Sequence, residues 1–322
     1  MAEDLRVGII GCGALGRTHA QRFSAIPGVR VEALTDTVIA AAESVKVELD
    51  PAVMIYPDYQ SLLNHDLDIV CIASPDSYHV EQVLAALDAG CHVLCEKPLT
   101  LDASELEAVV LKQQATGLHV SMTYPRRYDR AIHQLRSDFL AGEFGQLKAV
   151  FVSNVEDWVT PNVSTWRHDP SICPGGFFYD ANGHQLDFLF WVTGRRAVCT
   201  QARVDRSGTP VPIRVWGEAE LEGDIPCVFN FVGHAHSWRE QIDLYCENGE
   251  ALLMNGRPFI SRGGELTPVE VEGDEDNSAA AFVRLVREGG ENFAPPSDFR
   301  DLVQFTVATL QSAEADGIRI SI

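Results

Sequence analysis

The chain reads as α/β: a doubly wound parallel sheet, followed by a second domain whose strands run mostly antiparallel. Three observations carry this. Over residues 1–123 short apolar strands alternate with helical stretches, the β-α-β rhythm of a parallel sheet. A glycine-rich turn, Gly11-Cys12-Gly13-Ala14-Leu15-Gly16, joins the first strand to the first helix. Beyond a helix at 130–140 the pattern turns to strand after strand, with glycine-containing turns between several of them. These features predict domains at 1–123 and 124–322, and 322 residues suffice for two domains of ordinary size.

The elements of the first domain follow in order. Arg6–Ile10 is a short apolar strand. In the turn after it, Gly11 permits a tight bend, Gly13 lets the backbone approach a pyrophosphate, and Gly16 lets the helix pack closely on the strand. The helix over Arg17–Ala25 then offers free N–H groups and a positive dipole end to phosphate. Val29–Leu34 is the second strand and ends at Thr35-Asp36. Asp36 stands twenty positions past Gly16, where a carboxylate holds the ribose hydroxyls of NAD and repels the 2′-phosphate of NADP. Its plainer role is a helix N-cap. Helices near 38–47 and 59–63 flank a short strand, Met54–Tyr56. Asp68–Ala73 is a buried strand ending in Ser74-Pro75, and Ser77–Ala89 is a helix closed by Gly90. His92–Cys95 is a buried strand that stops at Pro98. A helix at 102–114 and a strand at 118–122 complete the domain.

Lys97 sits at that stop. The chain has only four lysines, Lys46, Lys97, Lys112 and Lys148, against 21 arginines. Ligands of open α/β sheets bind at the carboxyl ends of strands. Lys97 therefore reads either as a group facing a reacting atom or as a strand cap in water.

In the second domain a strand at 147–155 leads into a loop at 156–176 rich in Trp, Pro and polar residues. A single apolar helix is expected over Phe177–Trp191, then strands at 197–204, 214–221, 226–234, 240–247 and 251–255. An acidic turn lies at 270–276, a helix at 299–315 and a short strand at 318–322. On the expected 177–191 helix, Asp180 and His184 are four apart and share a face. Histidine suits proton acceptance near neutral pH, and a carboxylate one turn away can orient it or pair with a lysine. His234 and His236 lie two apart on one strand face, as two metal ligands could. With no third ligand evident they read as surface or interface residues, and no metal is expected.

Composition narrows the partners. A formal charge of −21 argues against nucleic acid and anionic membrane surfaces. No apolar run reaches membrane-spanning length. The start, Met1-Ala2-Glu3-Asp4-Leu5-Arg6, is acidic and unlike a secretory signal. The eight cysteines are scattered without a metal-type pair, which reads as reduced thiols in a cytoplasm.

The chain resembles the Gfo/Idh/MocA oxidoreductases, which include glucose–fructose oxidoreductase and inositol dehydrogenases. The resemblance spans nearly the whole chain. It rests on the 11–16 turn, on Ser74-Pro75-Asp76-Ser77-Tyr78-His79, and on Ala89 to Pro98 with its Glu96-Lys97-Pro98. It continues in Arg126-Arg127-Tyr128-Asp129, in Trp166-Arg167-His168-Asp169-Pro170, and in the Asp180 to His184 spacing. The sequence departs from the family pattern at Pro125, where Asn is frequent, and at Asn182-Gly183, where the glycine is displaced. The resemblance implies a Rossmann domain followed by an α+β domain with a large open sheet that commonly makes homodimers or homotetramers. It implies an NAD(P) cofactor, which Asp36 tilts to NAD with NADP less favoured. It places Gly11, Gly13, Ala14, Leu15, Gly16, Asp36, Ser74, Pro75, His79, Glu96 and Lys97 around the nucleotide, with His79 packing beside it rather than doing chemistry. It makes Lys97, Asp180 and His184 the catalytic group acting on a sugar, cyclitol or related polyol. Tyr124, Arg127, Glu156 and Trp166 are candidates to line the substrate pocket. Arg127 suits equally a structural ion pair, and Trp166 either stacks on a sugar face or fills a core. Two other readings stand beside the dehydrogenase: a glycosidase that uses NAD for transient oxidation and elimination, and a non-catalytic nucleotide sensor.

Overall fold

The computed structural model describes residues 4–272 and 276–322. The expectations for residues 1–3 and for the middle of the acidic turn at 270–276 fall outside the described residues. In chain order the elements begin β1 (Leu5–Ile10), α1 (Ala14–Ser24), β2 (Val29–Thr35), α2 (Ile39–Glu48), β3 (Met54–Tyr56), α3 (Tyr59–Leu63), β4 (Ile69–Ile72), α4 (His79–Asp88), β5 (His92–Cys95), α5 (Ala103–Thr116) and β6 (Val120–Met122). There follow α6 (Arg130–Leu140), β7 (Leu147–Asp157), α7 (Val159–Asn162), α8 (Gly176–Asp180), α9 (Gly183–Thr193), β8 (Ala197–Asp205), β9 (Arg214–Leu221), β10 (Ile225–Val232), β11 (His234–Cys246), β12 (Gly249–Met254), β13 (Arg257–Ser261) and β14 (Leu266–Pro268). The chain closes with α10 (Ser278–Glu288), α11 (Arg300–Glu314) and β15 (Ile320–Ser321).

Two compact units form, Met1–Tyr128 with Asp276–Ser297, and Asp129–Glu275 with Asp298–Ile322. The boundary expected between 123 and 124 is thus displaced, and α10 goes to the first unit rather than the second. The reason is local. Asn277 caps α10, its side chain accepting from the N–H groups of Ala279 and Ala280. Ala279, Phe282 and Val283 then recur at helical spacing and enter the core of Val7, Ile9, Phe23 and Leu94. The segment after α10 covers the free edge of β6. Met122 donates its N–H to the Ala294 carbonyl at 2.9 Å, and Asn292 donates to the Val120 carbonyl at 2.7 Å.

In the first unit six parallel strands lie in the order β3-β2-β1-β4-β5-β6. The order reverses between β1 and β4, the switch point of a doubly wound sheet. Buried on both faces, β4 is apolar throughout, as Ile69-Val70-Cys71-Ile72 predicts. Gly11 has φ +89°, and a side chain there would meet the Ala73 backbone at 2.6 Å. A Cβ at Gly16 would lie 1.8 Å from the Gly11 carbonyl oxygen, so α1 presses directly on the turn.

In the second unit nine strands lie in the order β14-β13-β12-β11-β7-β10-β9-β8-β15, antiparallel except for the β10–β7 pair. Phe305 of α11 packs edge-on against Phe190 of α9 and Phe229 of β10, so these helices cover one face. The other face leaves Trp216 and Val228 exposed. Two expectations are corrected here. The loop at 156–176 contains α7 and a turn of 3₁₀ helix at Trp166–His168. The single helix expected over 177–191 is two helices, broken at Ala181-Asn182. The N–H groups of Ala181 and Asn182 both reach the Phe177 carbonyl, at 3.2 and 3.3 Å. The Asn182 side chain donates to that carbonyl as well, at 2.7 Å. One carbonyl shared by three donors widens the turn and ends the ladder.

The Gly16 contact makes a direct test. Gly16→Ala overpacks α1 against Gly11 and should cost about 1–3 kcal/mol of stability, read as a lowered midpoint of urea unfolding; an unchanged midpoint contradicts the contact.

Candidate active site

The parallel sheet of the first unit sends every strand's carboxyl end to one edge, and the expected nucleotide residues collect there. Gly13, Ala14 and Leu15 are exposed at the start of α1. A Cβ on Gly13 would meet no atom within 4 Å, so the open N-terminus of α1 leaves room for a phosphate group to approach. Asp36, at the end of β2, is half-buried. Its Oδ2 accepts from the Cys12 N–H at 2.7 Å and its Oδ1 from the Val38 N–H at 2.7 Å. The carboxylate therefore braces the glycine-rich turn, rather than capping α2 in the ordinary way. Each oxygen keeps lone-pair capacity for a hydroxyl. The close approach at Gly11 and Gly16, the space at Gly13 and the acceptor at Asp36 fit a dinucleotide.

Ser74 and Pro75 follow β4, and the Ser74 hydroxyl donates to Gln82 Oε1 at 2.6 Å. His79 lies behind this turn instead of facing it. It is fully buried, with Nδ1 2.7 Å from the Pro98 carbonyl and Nε2 2.8 Å from the Ser74 carbonyl. Burial pushes its pKa down, against the two carbonyls and Glu96, which push it up. Each ring nitrogen faces a backbone carbonyl, and the neutral ring, with a single N–H, donates to one of the two.

Lys97 is half-buried, one residue past the last bond of the β5 ladder, where the Glu96 N–H reaches the Ile72 carbonyl at 2.8 Å. The Lys97–Pro98 peptide is cis. Glu96 is buried, and its Oε1 meets His19 Nε2 of α1 at 2.6 Å. Burial pushes the Glu96 carboxyl up, but the His19 hydrogen bond and charge, with Lys97, outweigh it and hold the group below its ordinary range. Beyond β6, Tyr124 is buried. Arg127 is buried too and donates from Nη1 to the Phe293 carbonyl at 3.1 Å.

In the second unit Asp180 ends α8 and is buried. Its Oδ2 accepts from Trp158 Nε1 at 3.0 Å and from Arg167 Nε at 2.8 Å. The Arg167 guanidinium lies over the Trp166 ring, 4.2 Å from its centroid. Trp166 thus serves as a platform for arginine. His184 is the second residue of α9 and half-buried. The helix break falls between Asp180 and His184, so the two sit on different helices. Asn154 of β7 donates to Asn182 Oδ1 at 3.0 Å and pins the break to the sheet. Glu156 stands half-buried two residues further along β7. His234 and His236 are exposed on β11, and no cluster of three metal-ligating side chains occurs among the described residues.

Residues 5–124 match the family model described as an oxidoreductase family with an NAD-binding Rossmann fold, and 132–252 match the Gfo/Idh/MocA C-terminal domain. The chain belongs to the Gfo/Idh/MocA family. Inositol 2-dehydrogenase of Salmonella typhimurium is 30% identical over 196 residues, 58% of this chain and 54% of that protein. The match thus spans about half the length of that relative. Inositol 2-dehydrogenase 1 of Paenarthrobacter aurescens is 28% identical over 88% of this chain and 83% of its own. Two solved structures share the fold: an inositol dehydrogenase homolog from Azotobacter vinelandii complexed with NAD+, and an aldose–aldose oxidoreductase from Caulobacter crescentus complexed with glycerol. The first has a TM-score of 0.87 and 19% identity, covering 100% of this chain and 98% of that one. The second has 0.86 and 18%, covering 99% and 100%.

Sequence reasoning missed four residues of this family member's polar framework: His19, Asn154, Trp158 and Arg167. Arg167 lies inside the Trp166-Arg167-His168 motif, so a signal for it existed. His19 shares a helix face with Phe23, four residues on, which marks it as inward-facing. For Asn154 and Trp158 no sequence signal points to a partner.

Stripping the donors from Asp180 has a measurable cost. Removing the partner of a buried charge costs about 3–5 kcal/mol, and partial exposure of Arg167 reduces this, so Arg167→Leu should lose about 2–3 kcal/mol. Trp158→Phe should lose about 1 kcal/mol. Urea unfolding of both variants checks the order; equal or negligible losses contradict the assignment.

Proposed function

We propose that the protein is an NAD-dependent dehydrogenase that transfers hydride between a hydroxyl-bearing carbon of a sugar, cyclitol or related polyol and nicotinamide. The observation that carries the proposal is the carboxyl edge of the parallel sheet. There the Gly13 gap, the N-terminus of α1 and the Asp36 carboxylate lie in the arrangement a dinucleotide requires. The names of the inositol dehydrogenases among its relatives support a cyclitol as the first substrate to try.

Bound NAD would supply the hydride acceptor. The chain's own residues handle the proton and the developing charge. His184 takes the hydroxyl proton as general base. Lys97 donates a hydrogen bond to the same oxygen and stabilises negative charge as it forms. Asp180, held by Trp158 and Arg167, orients the group beside it. Gly11, Gly13 and Gly16 admit the pyrophosphate, and Asp36 accepts from the ribose hydroxyls and disfavours a 2′-phosphate.

A purified sample given NAD and a panel of myo-inositol, other cyclitols, sugars and glycosides should generate the NADH absorbance band. NADP should be at least about tenfold poorer. His184→Ala should cut kcat by about 10²–10⁴-fold with the fold intact. Gly13→Ala should weaken NADH binding without moving the unfolding midpoint. Absence of NADH with every polyol would sink the proposal. Preference for NADP would overturn the role of Asp36, and release of an aglycone without net NADH would point to the redox-assisted glycosidase.

The exposed face of the nine-stranded sheet, with Trp216 and Val228, supports assembly as a homodimer or homotetramer. Light scattering should return two or four times the single-chain mass, and a Trp216→Arg variant should lower it; a monomeric mass refutes the assembly.

A further inference from the structure

We propose that His19 and His79 are positioning residues for Lys97, two buried imidazoles that grip the chain on either side of it. This rests on the role given to Lys97 above and goes beyond it, since neither histidine touches the reacting groups.

Past Glu96 the segment leaves the sheet ladder and runs without regular structure to α5. Something other than the sheet must hold it. On the N-terminal side, the buried Glu96 carboxylate meets His19 Nε2 through Oε1 at 2.6 Å and accepts the Lys97 N–H through Oε2 at 3.3 Å. One carboxylate therefore ties α1 to the Lys97 peptide. On the C-terminal side, the Pro98 carbonyl lies 2.7 Å from His79 Nδ1, and the opposite nitrogen of that ring reaches the Ser74 carbonyl at 2.8 Å. That ring donates its single N–H to one of these carbonyls and packs against the other, between the Lys97 segment and the loop after β4. Both imidazoles are essentially inaccessible, at 1% and 0% exposure.

Burying a polar ring is costly unless it is hydrogen-bonded, and an apolar side chain would fill either space at less expense. The two rings face Glu96 and Pro98, the residues flanking Lys97. A lysine side chain carries about 2 kcal/mol of rotamer entropy. A reacting group must be held to about 0.5 Å, which requires first that its backbone be fixed.

The test uses the full chain with His19→Leu, His79→Leu and the amide variants His19→Gln and His79→Asn, whose amide N–H groups take the places of Nε2 and Nδ1. Two measurements separate this inference from the dehydrogenase reading. The first is the rate at which acetic anhydride labels each lysine, mapped by peptide mass spectrometry, with Lys46, Lys112 and Lys148 as internal controls. Each leucine variant should raise the Lys97 rate by about threefold or more and leave the controls in place, and the amide variants should restore it. The second is turnover with NAD and the best polyol of the panel. Leucine variants should lose about tenfold or more in kcat with little change in KM, and the amide variants should recover most of it. Unchanged Lys97 labelling in the leucine variants, a rise at all four lysines together, or no rescue by the amide variants overturns the inference. Should a leucine variant not fold, His19→Asn, whose shorter amide falls short of Glu96, or His79→Ala, which has no side-chain donor, takes its place under the same criteria. If the wild type makes no NADH while Lys97 labelling responds as stated, the dehydrogenase reading fails and the clamp stands.

Discussion

Parallel strand pairing is the constraint on which the first unit depends. Parallel strands cannot be joined by a tight hairpin, so each return is made by a crossover, and all six strands deliver their carboxyl ends to the same edge. The glycine-rich turn, Asp36, Ser74 and Lys97 are far apart in sequence, yet each stands at such an end. The turn is shaped by two contacts too close for a side chain, at Gly11 and Gly16, and by the open side of Gly13. Even Asp36 first braces this turn through the Cys12 N–H, so the support of the loop and the expected ribose acceptor are one side chain.

Around that edge, and in the second unit, polar groups withdrawn from water are tied down by partners from distant segments. Glu96 stays below its ordinary carboxylate range despite burial because His19 meets it. Asp180 is buried where an indole N–H and a guanidinium converge on one oxygen. Asn182 stabilises a break in a helix by feeding two donors into one carbonyl while Asn154 holds its other end. In each case an uncompensated group would cost more than the bond returns, so the network is retained as a whole. No disulfide joins the eight cysteines among the described residues, and burial pushes the thiols of Cys71 and Cys95 well up, which leaves those two inert packing groups.

Much of this was legible beforehand. The strand His92–Cys95, the helix Arg130–Leu140 and the strand Arg214–Leu221 have the bounds their sequence suggests. They do so because apolar period, glycine stops and proline are local signals. The break at Ala181-Asn182 was not legible, since Phe177 to Trp191 is apolar enough to be one helix and the bond that interrupts it comes from an asparagine held by β7. The α10 helix escaped notice between acidic and glycine-rich flanks, although Asn277, Phe282 and Val283 carry a cap and a face.

By itself the sequence determined the class of fold, the dinucleotide-type turn and the family, because each rests on residue types at short, fixed spacing. Only the tertiary structure decided which unit α10 joins, that Asp180 and His184 sit on different helices, that Arg127 spans to a backbone carbonyl, and that His79 is buried between the Ser74 and Pro98 carbonyls. These outcomes depend on hydrogen bonds between residues far apart along the chain, such as the 77-residue separation of His19 from Glu96. No periodicity or motif encodes such a pairing, because the energy of a buried polar contact is settled by what the folded chain brings beside it.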